Sequence, residues 1–172
     1  MSGAGPRWDW YRLDADWAQR IVDAASVRPG ELVVELGAGV GALTLPLAEA
    51  GARVIAVELH PGRSAQLRRR VEGHDVRVVE RDVLDFRYPG RRVRVVANPP
   101  FGQASRLIRM AVAQPGVAAL DLVLPRGVAV RWADSRNRPT RRFRAVVGPA
   151  VPRSAFRPRP RVDCLLLQLR RR

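Results

Sequence analysis

The sequence predicts an α/β fold: an open, mostly parallel, seven-stranded sheet with helices on both faces, ending in an antiparallel pair of strands. Two observations lead there. From Glu31 onward short apolar runs alternate with longer amphipathic stretches, the rhythm of strand–helix–strand units. After Leu124 that rhythm stops, and two closely spaced apolar runs follow. A length of 172 residues, 47% hydrophobic and 27% charged, suits one domain able to bury a core.

Residues 1–30 hold three of the four tryptophans, Trp8, Trp10 and Trp17. They read as a lead-in loop and one helix, with Trp17, Ile21, Val22 and Ala25 at near-helical spacing and Pro29-Gly30 as the stop. A first strand, Leu32 to Leu36, precedes a helix from Ala42 to Ala50. A second, Val54 to Val57, precedes a helix from Pro61 to Glu72. Val76 to Val79 is the third strand. Val93 to Ala97 is the fourth, followed by a helix from Ser105 to Ala113, and Ala118 to Leu124 is the fifth. Beyond an Arg-rich stretch, Arg126 to Arg142, come Phe143 to Val147 and Cys164 to Leu169. These form the antiparallel pair, joined by a Pro- and Arg-rich loop from Pro149 to Arg161. No internal repeat or linker divides the chain, so residues 1–172 are expected to form a single domain.

All 31 basic residues are Arg, against 16 acids, a formal charge of +15. Residues 1–122 hold 17 Arg and 14 acids, whereas residues 123–172 hold 14 Arg and 2 acids. A field of that sign attracts a polyanion, and guanidinium forks match phosphate geometry, so nucleic acid is the leading partner class. The absence of lysine excludes a Walker P-loop. The single cysteine, Cys164, cannot form an internal disulfide and opens an apolar strand, so it is read as a core residue in a reducing, cytoplasmic protein. With His60 and His74 it makes no zinc site, and no metal is expected. The apolar runs are broken by Glu49, Arg53 and Asp121, so no membrane span is expected.

Two motifs carry chemistry. Glu35-Leu36-Gly37-Ala38-Gly39-Val40-Gly41 follows the first strand and opens a helix, the context in which a glycine turn brings backbone up to a nucleotide. Glu58, about twenty residues on at the end of the second strand, would hold ribose hydroxyls. Read literally, the turn also matches a dinucleotide fingerprint. Too little chain remains for a second mononucleotide half, however, and Glu35 and the other acids expected at the rim would favour a cationic sulfonium. S-adenosylmethionine therefore fits better than a nicotinamide cofactor. Asp82, after the third strand, is placed to accept a hydrogen bond from the cofactor's adenine amine.

Asn98-Pro99-Pro100-Phe101 follows the fourth strand and is the most specific feature. An amine conjugated to a heteroaromatic ring is a poor nucleophile and must be oriented by acceptors. The Asn98 side-chain carbonyl and the Pro99 backbone carbonyl can take both amine protons and stabilise positive charge as a methyl group transfers. Consecutive prolines stiffen those acceptors. Phe101 offers a ring face to a base removed from its stack.

Together with Val57-Glu58-Leu59 and the closing Val151-Pro152-Arg153-Ser154-Ala155-Phe156-Arg157-Pro158-Arg159-Pro160-Arg161-Val162-Asp163, these motifs resemble the Erm group of ribosomal RNA adenine N6-methyltransferases. That group is kin to the small-subunit adenine dimethyltransferases. The likeness runs from about Trp10 to the last residue. It implies a Rossmann-like class I S-adenosylmethionine-dependent methyltransferase fold and methylation of an adenine in the peptidyl-transferase loop of 23S rRNA. It also implies resistance to macrolides, lincosamides and streptogramin B. The partner would be 23S rRNA or a ribosome-assembly intermediate, and the protein a monomer. By matching position, Gly37 and Gly39 would contact the cofactor's amino-acid end, Glu58 its ribose, and Asp82 with Val83 its adenine, with Glu35, Ala38, Leu59 and Asn98 as further cofactor contacts. Asn98 with Phe101 would hold the target base, beside Pro99. Where the family has a Gln-Asn-Phe-Leu-like segment this chain has Trp10-Tyr11-Arg12-Leu13, so Tyr11 and Leu13 are carried over as cofactor contacts. The chain stops where most members continue into a helical RNA-binding domain. RNA grip is therefore assigned to Arg131, Arg136, Arg138, Arg141, Arg142, Arg144, Arg153, Arg157, Arg159 and Arg161 beside the pocket. The alternatives are another N-P-P-F methyltransferase, acting on guanine N2, DNA adenine or protein glutamine, and a non-catalytic RNA-binding module.

Overall fold

The computed structural model describes residues 10–134, 136 and 138–172. Strands β2 (Leu32–Leu36), β3 (Arg53–Glu58), β4 (Val76–Glu80), β5 (Val93–Ala97) and β6 (Val117–Pro125) run parallel; β9 (Cys164–Arg171) is antiparallel to β6, and β7 (Phe143–Val151) antiparallel to β9. The order across this seven-stranded sheet is β4-β3-β2-β5-β6-β9-β7. The expected α/β class and terminal antiparallel pair are both present.

One face is covered by α1 (Ala15–Ala25), α2 (Thr44–Glu49) and α3 (Pro61–Arg70), whose Ile21, Leu47 and Leu67 are buried against Val33, Val54 and Val96. The other is covered by α4 (Ala104–Ala113) and α5 (Arg126–Ala133), which bury Ile108, Ala129 and Trp132 against Val95, Leu120 and Leu167. Local chemistry sets the helix ends. Asp14 caps α1 by accepting from Trp17 N–H at 2.8 Å. His60 caps α3, its Nδ1 accepting from Gly62 and Arg63 N–H, with Pro61 in the first turn. Cys164 is fully buried and its thiol is pushed up to about 12, as a core residue should be.

Three features differ from the expectation. The segment read only as Arg-rich opens with a helix, α5, because Val128, Ala129, Trp132 and Ala133 fall on one face that packs against the sheet. Strand β7 runs four residues further than the alternating pattern suggested, crossing Gly148 and Pro149 through a bulge between Val147 and Ala150. A second, two-stranded sheet pairs β1 (Arg12–Leu13) with β8 (Phe156–Arg157). Segments this short carry no periodicity, and only the pairing of distant residues makes them strands.

Asp121, which interrupts the apolar run of β6, is fully buried. Its carboxylate accepts from Arg94 at 2.9 Å, Arg170 at 2.5 Å and Gln168 at 2.7 Å. Arg94 also reaches Glu31 at 2.9 Å. The charge is therefore compensated where it lies, as a buried carboxylate requires.

Candidate active site

The strand order reverses between β2 and β5, and ligands of open α/β sheets bind outside the carboxyl ends of strands at such a point. Both motifs leave from there. The glycine turn follows β2 and Asn98-Pro99-Pro100-Phe101 follows β5, its parallel neighbour, with Glu35 opposite Val96. Glu58 ends β3, and Asp82 lies two residues past β4, so four adjacent strand ends present the four candidate elements side by side.

The turn needs its glycines. Gly37, Gly39 and Gly41 have φ of 76°, 59° and 99°, in the left-handed region. That geometry aims Gly37 and Ala38 N–H at the Val57 carbonyl and Gly39 N–H at Glu58 Oε2, 2.8 Å away. A methyl group at Gly39 would come within 2.7 Å of Trp10 Nε1. Trp10 thus roofs the turn, and the Arg63 guanidinium lies 4.9 Å over the indole. Arg63 also pairs with Glu58 Oε1 at 2.9 Å, and that oxygen accepts from His60 N–H at 2.8 Å as well. Sequence reasoning gave no role to Trp10 or Arg63. Their signals were an indole at the head of the segment that replaces Gln-Asn-Phe-Leu, and an arginine in the first turn of the helix after Glu58.

Tyr11, Leu13, Glu35, Gly37, Ala38 and Asn98 line one small cavity together with Trp10, Arg12 and Leu43. Glu35 is not on the rim. It is buried beneath the turn, accepts from the Thr44 hydroxyl at 2.5 Å, and its carboxyl is pushed up to about 8, first by burial. Held neutral at pH 7, it cannot supply the anionic edge expected of it for a cationic cofactor. Asp82 is half-buried, its carboxylate accepting from Leu84 N–H at 2.9 Å, with Val83 buried beside it and Leu59 exposed.

Asn98 is the most informative side chain. Its Nδ2 donates to the Tyr11 carbonyl at 2.6 Å. Its Oδ1 is buried and, among the described residues, has no hydrogen-bond partner. Only the amide nitrogen can point at a carbonyl, so Tyr11 sets the rotamer and leaves the oxygen open. Tyr11 is held in turn by β1, paired to β8, and by Asp14 N–H donating to the Ala155 carbonyl at 2.8 Å. The tail segment therefore orients Asn98 through the N-terminal one. One face of Phe101 is taken: the Tyr11 ring stacks on it, centroids 4.9 Å apart and planes 26° from parallel.

The ten arginines expected beside the pocket do not form one track. Arg153, Arg157, Arg159 and Arg161 are exposed near the carboxyl edge, where β8 meets β1 and where Arg126 N–H reaches the Asp163 carbonyl. Arg131 belongs with them, donating to Ser105 at the start of α4. Arg136 is exposed and paired with Asp134. The side chain of Arg138 lies outside the described residues. Arg141, Arg142 and Arg144 are exposed at the opposite edge, because β7 runs in the same direction as β6 and begins where β6 begins, away from the site.

Among the described residues no helix is long and apolar enough to cross a membrane. A family model described as ribosomal RNA adenine dimethylase matches residues 11–172. A ribosomal RNA small subunit methyltransferase A from Deinococcus radiodurans is 31% identical over 170 residues, 92% of this chain and 58% of the relative. An rRNA adenine N-6-methyltransferase from Corynebacterium diphtheriae is 34% identical over 163 residues, 88% of this chain and 62% of the relative. The chain thus spans about three fifths of the length of these relatives. Among solved structures, the 23S rRNA methyltransferase ErmE superposes with a TM-score of 0.82 at 29% identity, covering 94% of this chain and 70% of that one. A dimethyladenosine transferase from Plasmodium falciparum gives 0.82 at 25% identity, covering 94% and 63%. A glycine turn beside an Asn-Pro-Pro-Phe corner, on a sheet of this order and with a match running from Tyr11 to the last residue, places the chain in the ribosomal RNA adenine dimethylase family.

Proposed function

We propose that this protein transfers a methyl group from S-adenosylmethionine to N6 of an adenine in ribosomal RNA. The observation that carries the reading is the unpartnered, buried Asn98 Oδ1. A buried acceptor left without a donor is unfavourable by about 1–3 kcal/mol, and an exocyclic amine is the donor it fits. With the Pro99 carbonyl it would accept both amine protons, turn the nitrogen lone pair toward the methyl donor and stabilise the charge that develops there. When bound, S-adenosylmethionine supplies an electrophilic methyl group on a sulfonium. Gly37, Ala38, Gly39, Glu58, Leu59, Asp82 and Val83 would hold it, with Tyr11, Leu13 and Glu35 closing the amino-acid end. The positive-φ turn and the row of strand ends fit a nucleoside, provided Trp10 and Arg63 swing off the turn. Both are tethered there by a ring–guanidinium contact and one ion pair.

The substrate we favour is 23S rRNA, with macrolide, lincosamide and streptogramin B resistance as the consequence. The likeness to the 23S rRNA methyltransferase ErmE supports this. A second reading, small-subunit rRNA, is favoured by relatives such as that from Deinococcus. Incubation of the protein with methyl-labelled cofactor and each rRNA separately, followed by nuclease digestion and mass analysis, tests both. Methylated adenosine from the large-subunit RNA alone is the expected result. Label in small-subunit RNA alone selects the second reading, and label in neither, or on guanine, overturns the proposal.

A further inference from the structure

Three of the four parallel crossovers in the sheet contain a helix. The fourth, residues 81–92 between β4 and β5, contains none. Parallel sheets are normally covered on both faces, yet here the face of β3 and β4 opposite α3 carries only that loop. Ile55 and Val79 remain partly exposed on it, as the floor of a groove whose wall includes Phe86. Arg77, Arg81, Arg87 and Arg91 line the same groove, all exposed, and no acid lines it. Among the described residues none of these four guanidinium groups has a carboxylate partner. By contrast Arg153, in the groove beside α5, is paired with Asp163.

We propose that this groove holds a single-stranded or looped segment of the RNA substrate outside the target adenine, an inference that rests on the RNA-methylation reading above. Unpaired cations above an apolar, partly aromatic floor suit a strand whose phosphates meet arginine while its bases lie on the floor. An acidic protein would satisfy the charges but gives no reason for the uncovered floor. One end of the groove lies at the carboxyl edge that carries the site, and the other reaches Arg91, just before β5. Arg81 directly precedes Asp82, and the end of β4 is three strand spacings, about 14 Å, from the end of β5. Part of the RNA grip thus lies outside the arginine-rich last fifty residues, in a part of the chain whose overall charge is almost balanced.

The test compares wild type with Arg87→Glu/Arg91→Glu, both in the exposed loop and outside the catalytic and cofactor positions. Fluorescence anisotropy with a labelled rRNA fragment carrying the methylated adenine gives Kd as a function of salt, and calorimetry gives cofactor affinity. The expected result is an RNA Kd raised at least tenfold and a log Kd against log salt slope shallower by about 1.4–1.8, at about 0.7–0.9 for each of two lost phosphate contacts. Cofactor affinity should be unchanged and Arg87→Lys/Arg91→Lys near wild type. Arg20→Glu/Arg28→Glu, on and beside α1, controls for net charge and should shift Kd much less. Equal Kd and equal slope in wild type and groove variant overturn the groove while the methylation reading stands. If, in addition, a poly-glutamate peptide binds wild type and not the variant, the occupant is an acidic protein and the RNA assignment falls. A wild type that binds no rRNA overturns the methylation reading and the groove with it.

Discussion

The Asn98 amide donates to the Tyr11 backbone carbonyl at 2.6 Å across 87 positions of sequence, and by doing so leaves its own buried oxygen without a donor among the described residues. The Asn-Pro-Pro-Phe corner is thus oriented by backbone that β8 holds in place, and on the proposed function a substitution at Asn98 should separate chemistry from binding. Asn98→Ala is expected to reduce kcat by about two orders of magnitude or more and leave cofactor affinity within a few-fold, because the lost contact matters most in the transition state. Single-turnover methyl transfer and calorimetry on the same preparation check this, and unchanged turnover removes Asn98 from the mechanism.

Arg63 engages the carboxylate that the ribose is proposed to meet. Removing it with Arg63→Met should free Glu58 and loosen Trp10, raising cofactor affinity by about fivefold, the equivalent of one partly exposed ion pair. Equilibrium binding measures it. A weakened affinity would mean that Arg63 holds the cofactor rather than competing with it for Glu58.

Glu35 gives the stability of the cofactor-free protein a defined pH dependence. Its carboxyl rises from 4.5 to about 8 on folding, so the folded state binds this proton more tightly than the unfolded state. The stability it contributes is fully present below 4.5 and lost as pH rises toward 8, a few kcal/mol in order of magnitude at about 1.4 kcal/mol per unit. Glu35→Gln, which can still accept from Thr44, should flatten the fall in Tm between pH 5 and 8 and be the more stable protein at pH 8. Parallel Tm profiles for the two proteins would show that Glu35 is charged when buried.

Asp121 neutralises Arg94 and Arg170 inside the sheet. Asp121→Ala leaves Arg170 without a counter-ion and Arg94 with Glu31 alone, which should destabilise the fold by about 3–5 kcal/mol and lower Tm by roughly 10 °C. Thermal unfolding by circular dichroism is the measurement. A loss below 1 kcal/mol would mean that water replaces the carboxylate.

The parallel part of the sheet was legible because each strand carries a short apolar run rich in Val, Leu or Ile between turn residues, and the chemistry was legible because both motifs sit at strand ends. Contacts between residues far apart in sequence were not. Arg12 and Arg157 are unremarkable in isolation and become strands only by pairing. Trp10 becomes a roof only because Gly39 lacks a Cβ. Arg141, Arg142 and Arg144 were misplaced because charge density along a chain does not tell which end of a sheet a strand starts from. The depth of Glu35 escaped for a related reason: alternation within β2 assigns a face, but being boxed in by Thr44 from the following helix is a tertiary fact.

The β1–β8 clip also sets when activity can arise during synthesis. The glycine turn and the Asn-Pro-Pro-Phe corner emerge early, but the carbonyl that aims Asn98 is locked only once Phe156 and Arg157 have been translated and folded back. A nascent chain arrested before that point would carry the whole Asn-Pro-Pro-Phe corner and remain silent, and because β9, the strand between β6 and β7, follows the clip, a truncation series should regain methyl transfer in one step only once that strand is complete.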